Sequence, residues 1–159
     1  MGKTILPEHV AERPAKVTFS PCYGPSPHLS WEELRCRDGT PYPEIWRTTR
    51  AVILSRLFEI VRFSAGGLPL TILSGYRTAA HNRAVGGARH SQHVEGRALD
   101  LAPPKTMTVR EFFHIIHGLT RDVASLGGIG LYPSFVHIDC RPTYRVVVWS
   151  GHRQMADLS

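Results

Sequence analysis

The chain has 159 residues, 42% of them hydrophobic and 20% charged, with a formal net charge of +6. That is one domain's worth of sequence, with enough apolar content for a packed core, which excludes a disordered chain. No apolar run approaches the roughly 20 residues of a membrane helix, and the basic residues neither cluster nor alternate with aromatics, so neither a membrane span nor a nucleic-acid surface is expected.

Residues 1–28 are proline-rich and aperiodic and read as an irregular N-terminal arm. No secretory leader is visible there, so synthesis in the cytoplasm is expected. Ser30-Trp-Glu-Glu33 fits a capping box and opens a short helix over SWEELRC, closed by the turn RDGTPYP. From Pro43 the spacing predicts one long helix, with Ile45, Trp46, Thr49, Val52, Ile53, Leu57, Ile60 and Val61 on its core face and Gly66-Gly67 as its stop. LPLTILSG (68–75) reads as a strand, and Thr78 caps a brief helix through HNRAV that Gly86-Gly87 end. RALDLA (97–102) is the next strand. Thr108 and Glu111 form a second capping box, starting a helix that runs to Leu126. Three strands follow: GIGLY (128–132), FVHIDC (135–140) and YRVVVWS (144–150). Strands gathered late, without βαβ alternation, predict an α+β fold: a small, mostly antiparallel sheet flanked by helices, in a single domain over 1–159 whose metal-site core is 68–150. Three cysteines (Cys22, Cys36, Cys140) cannot pair fully within one chain and form no CxxC. Buried thiols are expected, with a Cys22–Cys36 bridge as the other option.

His93 and Asp100, inside SQHVEGRALD, and His137, inside GIGLYPSFVHIDCR, are the candidate metal ligands. Two imidazoles and one carboxylate are one donor short of a closed tetrahedral site, which leaves a position for water and favours hydrolysis over scaffolding. Strand alternation puts Val136 and Ile138 on a core face and Phe135, His137 and Asp139 on the other. Along RALDLA, Ala98, Asp100 and Ala102 share a face whose small side chains leave room for an ion. Taken singly, each of the nine histidines is more often an ordinary surface or core residue; only the shared context lifts these two.

That context is SGYRT, HN…VGG, SQHVEGRALD and GIGLYPSFVHIDCR…W, which together resemble the zinc D-Ala-D-Ala carboxypeptidase family, whose fold is shared with the Hedgehog signalling domain. The resemblance runs from about Leu68 to Trp149 and extends loosely upstream through HLSWEELRCRDGTPYP, as in small bacterial and phage peptidases. It implies Zn2+ held by His93, Asp100 and His137. It also implies that Arg77 lies in the cleft, binding substrate and stabilising the transition state. The implied substrate is the stem peptide of peptidoglycan, cut by a D,D-carboxypeptidase or an endolysin-like endopeptidase that is brought to the wall by a phage or released at lysis. A monomer is expected.

Many family members carry an acid three residues before the last ligand; Ser134 stands there instead. Asp139 is the substitute general base, or alternatively the carboxylate that orients an imidazole, with His90 and Glu95 behind it. Ser91, Gln92, Asn82 and Tyr132 are expected to line the groove, and Trp149 to sit at its rim or in the core. The main rival is a zinc-containing cell-wall-binding module without catalysis, which the missing acid favours. A second rival is an Fe(II) oxygenase built on the His137-x-Asp139 pair.

Overall fold

The structure, a computed structural model, describes residues 24–151 and the strand Arg153–Gln154. The expectation for residues 1–23 lies outside the described residues. The elements in chain order are α1 (Trp31–Leu34), α2 (Arg50–Ser64), β1 (Thr71–Ser74), α3 (Ala79–Ala84), β2 (Ala98–Ala102), α4 (Val109–Gly118), β3 (Gly128–Leu131), β4 (Val136–Asp139), β5 (Val147–Ser150) and β6 (Arg153–Gln154). Both capping boxes form: Ser30 pairs reciprocally with Glu33, and Thr108 with Glu111. Thr78 caps α3 through its hydroxyl, which accepts from the N–H of His81.

The single helix expected from Pro43 is instead two pieces. A 3-10 turn at Glu44–Trp46 is followed by a break at Thr49 (φ −124°, ψ −85°), and α2 begins afterwards in a new phase. Its buried face is therefore Ala51, Leu54, Leu57, Phe58 and Val61, while Ile45, Ile53 and Ile60 are 80%, 45% and 37% exposed. The break keeps Trp46 in an aromatic group with Tyr42 and Tyr76, where the Arg50 guanidinium sits 4.1 Å from its ring. The second long helix also ends early, at Gly118. Val123 and Leu126 reach the core from irregular chain beyond it.

All six strands form one sheet in the order β1-β2-β4-β3-β5-β6, antiparallel except for the parallel pair β3–β5. The α+β expectation with a mostly antiparallel sheet is met. Leu99, Leu101, Ile129, Val136 and Ile138 point to one face and join the core cluster with α2 and α4. Burying each such side chain contributes about 1.5–3 kcal/mol.

Pairing register builds the other face. Ser74 lies opposite Asp100, Asp100 opposite His137, His137 opposite Gly130, and Gly130 opposite Trp149, one row across five strands. The adjacent row runs Ala98, Asp139, Gly128, Val147. The two glycines are needed for space. A Cβ on Gly130 would stand 2.5 Å from the Trp149 indole, and one on Gly128 would stand against the Asp139 carboxylate. Among the described residues, no helix is long and apolar enough to cross a membrane.

Candidate metal centre and its cleft

Asp100 and His137 face one another because β2 and β4 pair in that register. His93 joins them from the loop before β2. All three are buried, at 3%, 5% and 7% exposure for His93, Asp100 and His137. His93 Nε2 lies 3.1 Å from Asp100 Oδ1 and 3.1 Å from His137 Nδ1, and the last is 2.9 Å from the same Asp100 oxygen.

Each imidazole has its far nitrogen occupied. His93 Nδ1–H donates to the Gly75 carbonyl at 2.7 Å, and His137 Nε2–H donates to Asp139 Oδ2 at 3.2 Å. A carbonyl and a carboxylate only accept, so these contacts fix the tautomers. What then meets at the centre is two nitrogen lone pairs and a carboxylate oxygen. Three acceptors do not satisfy one another, and leaving them buried unpaired is costly. A cation resolves the conflict. Donors about 2.0–2.1 Å from one ion in a tetrahedron stand roughly 3.3 Å apart, close to the spacings found. The donor set fits a divalent metal of the zinc type.

A proton is the other species that can ease the conflict among the three acceptors. Burial lowers both histidines. For His93 it prevails, whereas Asp100 and Asp139 together outweigh it and raise His137. Burial also opposes ionisation of Asp100, yet the imidazoles of His137 and His93 beside it and their partial positive charge hold its carboxyl well below the usual range. Its second oxygen accepts from Arg77 Nη2 at 2.6 Å, and Arg77 Nε donates to Ser74 Oγ at 2.8 Å. Arg77 is thus both a wall of the cleft and a brace for the carboxylate.

Asp139 is not where a general base would need to be. It is fully buried beneath His137, and Arg141 grips both its oxygens through Nε, Nη2 and the backbone N–H. Burial opposes its ionisation, but these bonds outweigh it and hold the carboxyl far below its ordinary value. This environment suits a carboxylate that fixes an imidazole, not one that takes a proton from solvent. Asp139 also meets the nitrogen of His137 that points away from Asp100, so His137 and Asp139 cannot form the pair of an oxygenase triad.

The trio forms part of the wall of a cleft of about 430 Å³ bounded by residues 85–88 and 90–93, with Arg77, Tyr132, Phe135, Arg141 and Trp149. Ser91, Gln92 and Tyr132 fall here as expected, and so does His90. The Ser91 hydroxyl accepts the His93 N–H, and Gln92 Oε1 is buried with no partner among the described residues. Tyr132 stacks on Phe135 at 4.4 Å and accepts from the Trp149 indole N–H at 3.1 Å. Asn82 does not line the cleft. It is buried against the Gly86-Gly87 turn, and its amide donates to the Ala88 carbonyl. Glu95 points elsewhere, into an ion pair with Arg50.

One support was missed from sequence. The His93 loop is clamped from behind by Tyr42, whose hydroxyl donates to the Gly96 carbonyl at 2.6 Å, and by Trp46. Gly96 has φ +63°, and a Cβ there would stand 2.8 Å from the Trp46 ring, so only glycine fits. Cys36 and Cys140 are both buried free thiols among the described residues, and the alternative Cys22–Cys36 bridge involves a residue outside them.

A comparison with curated proteins gives no match. A family model described as Peptidase M15 matches residues 27–139, a span that begins upstream of α1 and ends on the residue that orients His137. That span contains Arg77 and all three converging donors, and the chain belongs to the Peptidase M15 family of metallopeptidases.

Proposed function

We propose that the protein is a zinc-dependent peptidoglycan peptidase that hydrolyses a stem-peptide bond, as a D,D-carboxypeptidase or an endopeptidase. The observation that carries this reading is the convergence of three buried acceptors on one point of a cleft that also presents a guanidinium. His93, Asp100 and His137 are the proposed ligands. Zinc held there supplies Lewis acidity to a scissile carbonyl and lowers the pKa of water.

The chain's own residues do the rest. Arg77 is pinned through Nε and Nη2, and its Nη1, which has no partner among the described residues, binds the carbonyl or terminal carboxylate of the peptide. The buried Gln92 Oε1 accepts a substrate N–H. Tyr132, Phe135 and Trp149 form the apolar wall. Asp139 holds His137 in its tautomer and is assigned as a positioning residue. His90, the cleft imidazole outside the trio, takes the proton-transfer role that the family resemblance would give to an acid at position 134. Delivery to the wall by a phage or at lysis belongs to the same proposal.

The test is digestion of purified peptidoglycan with the full chain, with and without a chelator, followed by mass spectrometry of the fragments. Loss of a terminal D-alanine identifies a carboxypeptidase, and separation of cross-linked muropeptides an endopeptidase. A zinc-loaded protein that binds wall material without turnover sinks the hydrolase reading in favour of the binding module. The His90→Ala variant should lose roughly 10²–10⁴ in kcat while keeping its metal.

A further inference from the structure

Around Thr78, the residue after Arg77, three other donors meet, none of them lining the cleft. Cys36 Sγ, a carboxylate oxygen of Asp38 and a ring nitrogen of His81 all lie within 4.8 Å of one another. They come from two segments: the turn after α1, closed by the Cys36 N–H donating to the Thr40 carbonyl and the Gly39 N–H donating to the Cys36 carbonyl, and the first turn of α3. Cys36 is buried, His81 half-buried and Asp38 exposed, so the cluster opens to solvent on one side.

Thr78 holds two of the three in place. Its backbone N–H donates to Cys36 Sγ at 3.4 Å, and its hydroxyl donates to Asp38 Oδ2 at 2.6 Å. Asp38 Oδ1 also accepts the Thr40 N–H at 2.9 Å. These bonds, the one from Thr78 first, hold the Asp38 carboxyl well below its usual range. One sulfur, one imidazole and one carboxylate are a borderline-soft set with room for a water, which suits zinc and disfavours magnesium or calcium.

We propose that Cys36, Asp38 and His81 form a second, structural site for a thiophilic divalent cation, separate from the cleft. Binding releases the Cys36 thiol proton to solvent and gives a thiolate ligand. The ion joins the 36–38 turn to the start of α3. Thr78 follows Arg77 directly, and the Arg77 N–H donates to the His93 carbonyl, so the ion braces the segment that presents the cleft guanidinium.

The full chain, stripped by chelator, is titrated with Co2+ and followed by near-ultraviolet absorption. Two equivalents are expected, one of them with a thiolate-to-cobalt charge-transfer band. Cys36→Ser should lose that band and one equivalent. Because Cys36 is buried, His81→Ala is the second variant, expected to weaken the same equivalent at least tenfold with folding intact by circular dichroism. Asp100→Asn should lose the other equivalent and keep the band. A wild type that shows no thiolate-to-cobalt band, or a band that survives Cys36→Ser, overturns the proposal. The Asp100 variant and the wall digestion report on the cleft separately, so failure here leaves the peptidase reading untouched.

Discussion

The candidate centre is assembled by two different devices. Asp100 and His137 are placed by sheet register, a property of backbone pairing that no single side chain controls. His93 is placed by a loop, held through its Nδ1 by the Gly75 carbonyl and from behind by Tyr42, Trp46 and Gly96. The strand side is over-determined, since a one-residue slip would exchange the site for Val136 and Ile138. The loop side depends on a few contacts, each removable by one substitution. Geometry carried by a sheet is lost only with the fold, whereas geometry carried by a loop degrades in steps.

The sharpest break comes from the strand side. Asp100→Ala should abolish metal binding, measured by atomic absorption, and reduce hydrolysis at least ~10³-fold, because it removes a donor and strands Arg77 and His137 without their partner. One step back from the centre, Asp139→Asn should cost about 10–100-fold in metal affinity by competition with a chromogenic chelator. An effect there as large as that of Asp100→Ala would mean Asp139 acts on the substrate after all.

Acid should weaken metal binding as well. Burial lowers His137, but Asp100 and Asp139 outweigh it and raise it, so a proton competes with the ion: affinity is full above the raised pKa and falls about tenfold per pH unit below it. A flat profile from pH 5 to 8 would contradict the tautomer argument.

On the loop side, Gly96→Ala combines a positive φ with the contact to Trp46. A loss of about 1–3 kcal/mol is expected, read as a lower denaturant midpoint, with metal affinity falling in parallel. Tyr42→Phe is the mildest probe. Loss of its buried hydrogen bond to Gly96 should cost about 1 kcal/mol and leave kcat within a few-fold of wild type.

Legibility followed the same division. Period-2 alternation in FVHID put Val136 and Ile138 in the core and His137 opposite, and both capping boxes formed where Ser30 and Thr108 announced them. The break before α2 was not legible, because the apolar spacing stays helical through Thr49 while tertiary packing of Trp46 overrides it. The role of Asp139 turned on a side chain two residues further along, Arg141, whose grip only the folded chain reveals. Asn82 sits in a polar stretch that reads as groove lining, yet the tight Gly86-Gly87 turn uses its amide internally.

The ion pair between Arg77 and Asp100 has a bearing on denticity. With Oδ2 taken by the guanidinium, the carboxylate offers a cation one oxygen rather than a chelating pair. An ion held by these residues would keep more of its coordination sphere for incoming molecules. A peptide that drew Arg77 aside would free that second oxygen, so occupancy of the cleft and the binding mode of the carboxylate are coupled through one side chain.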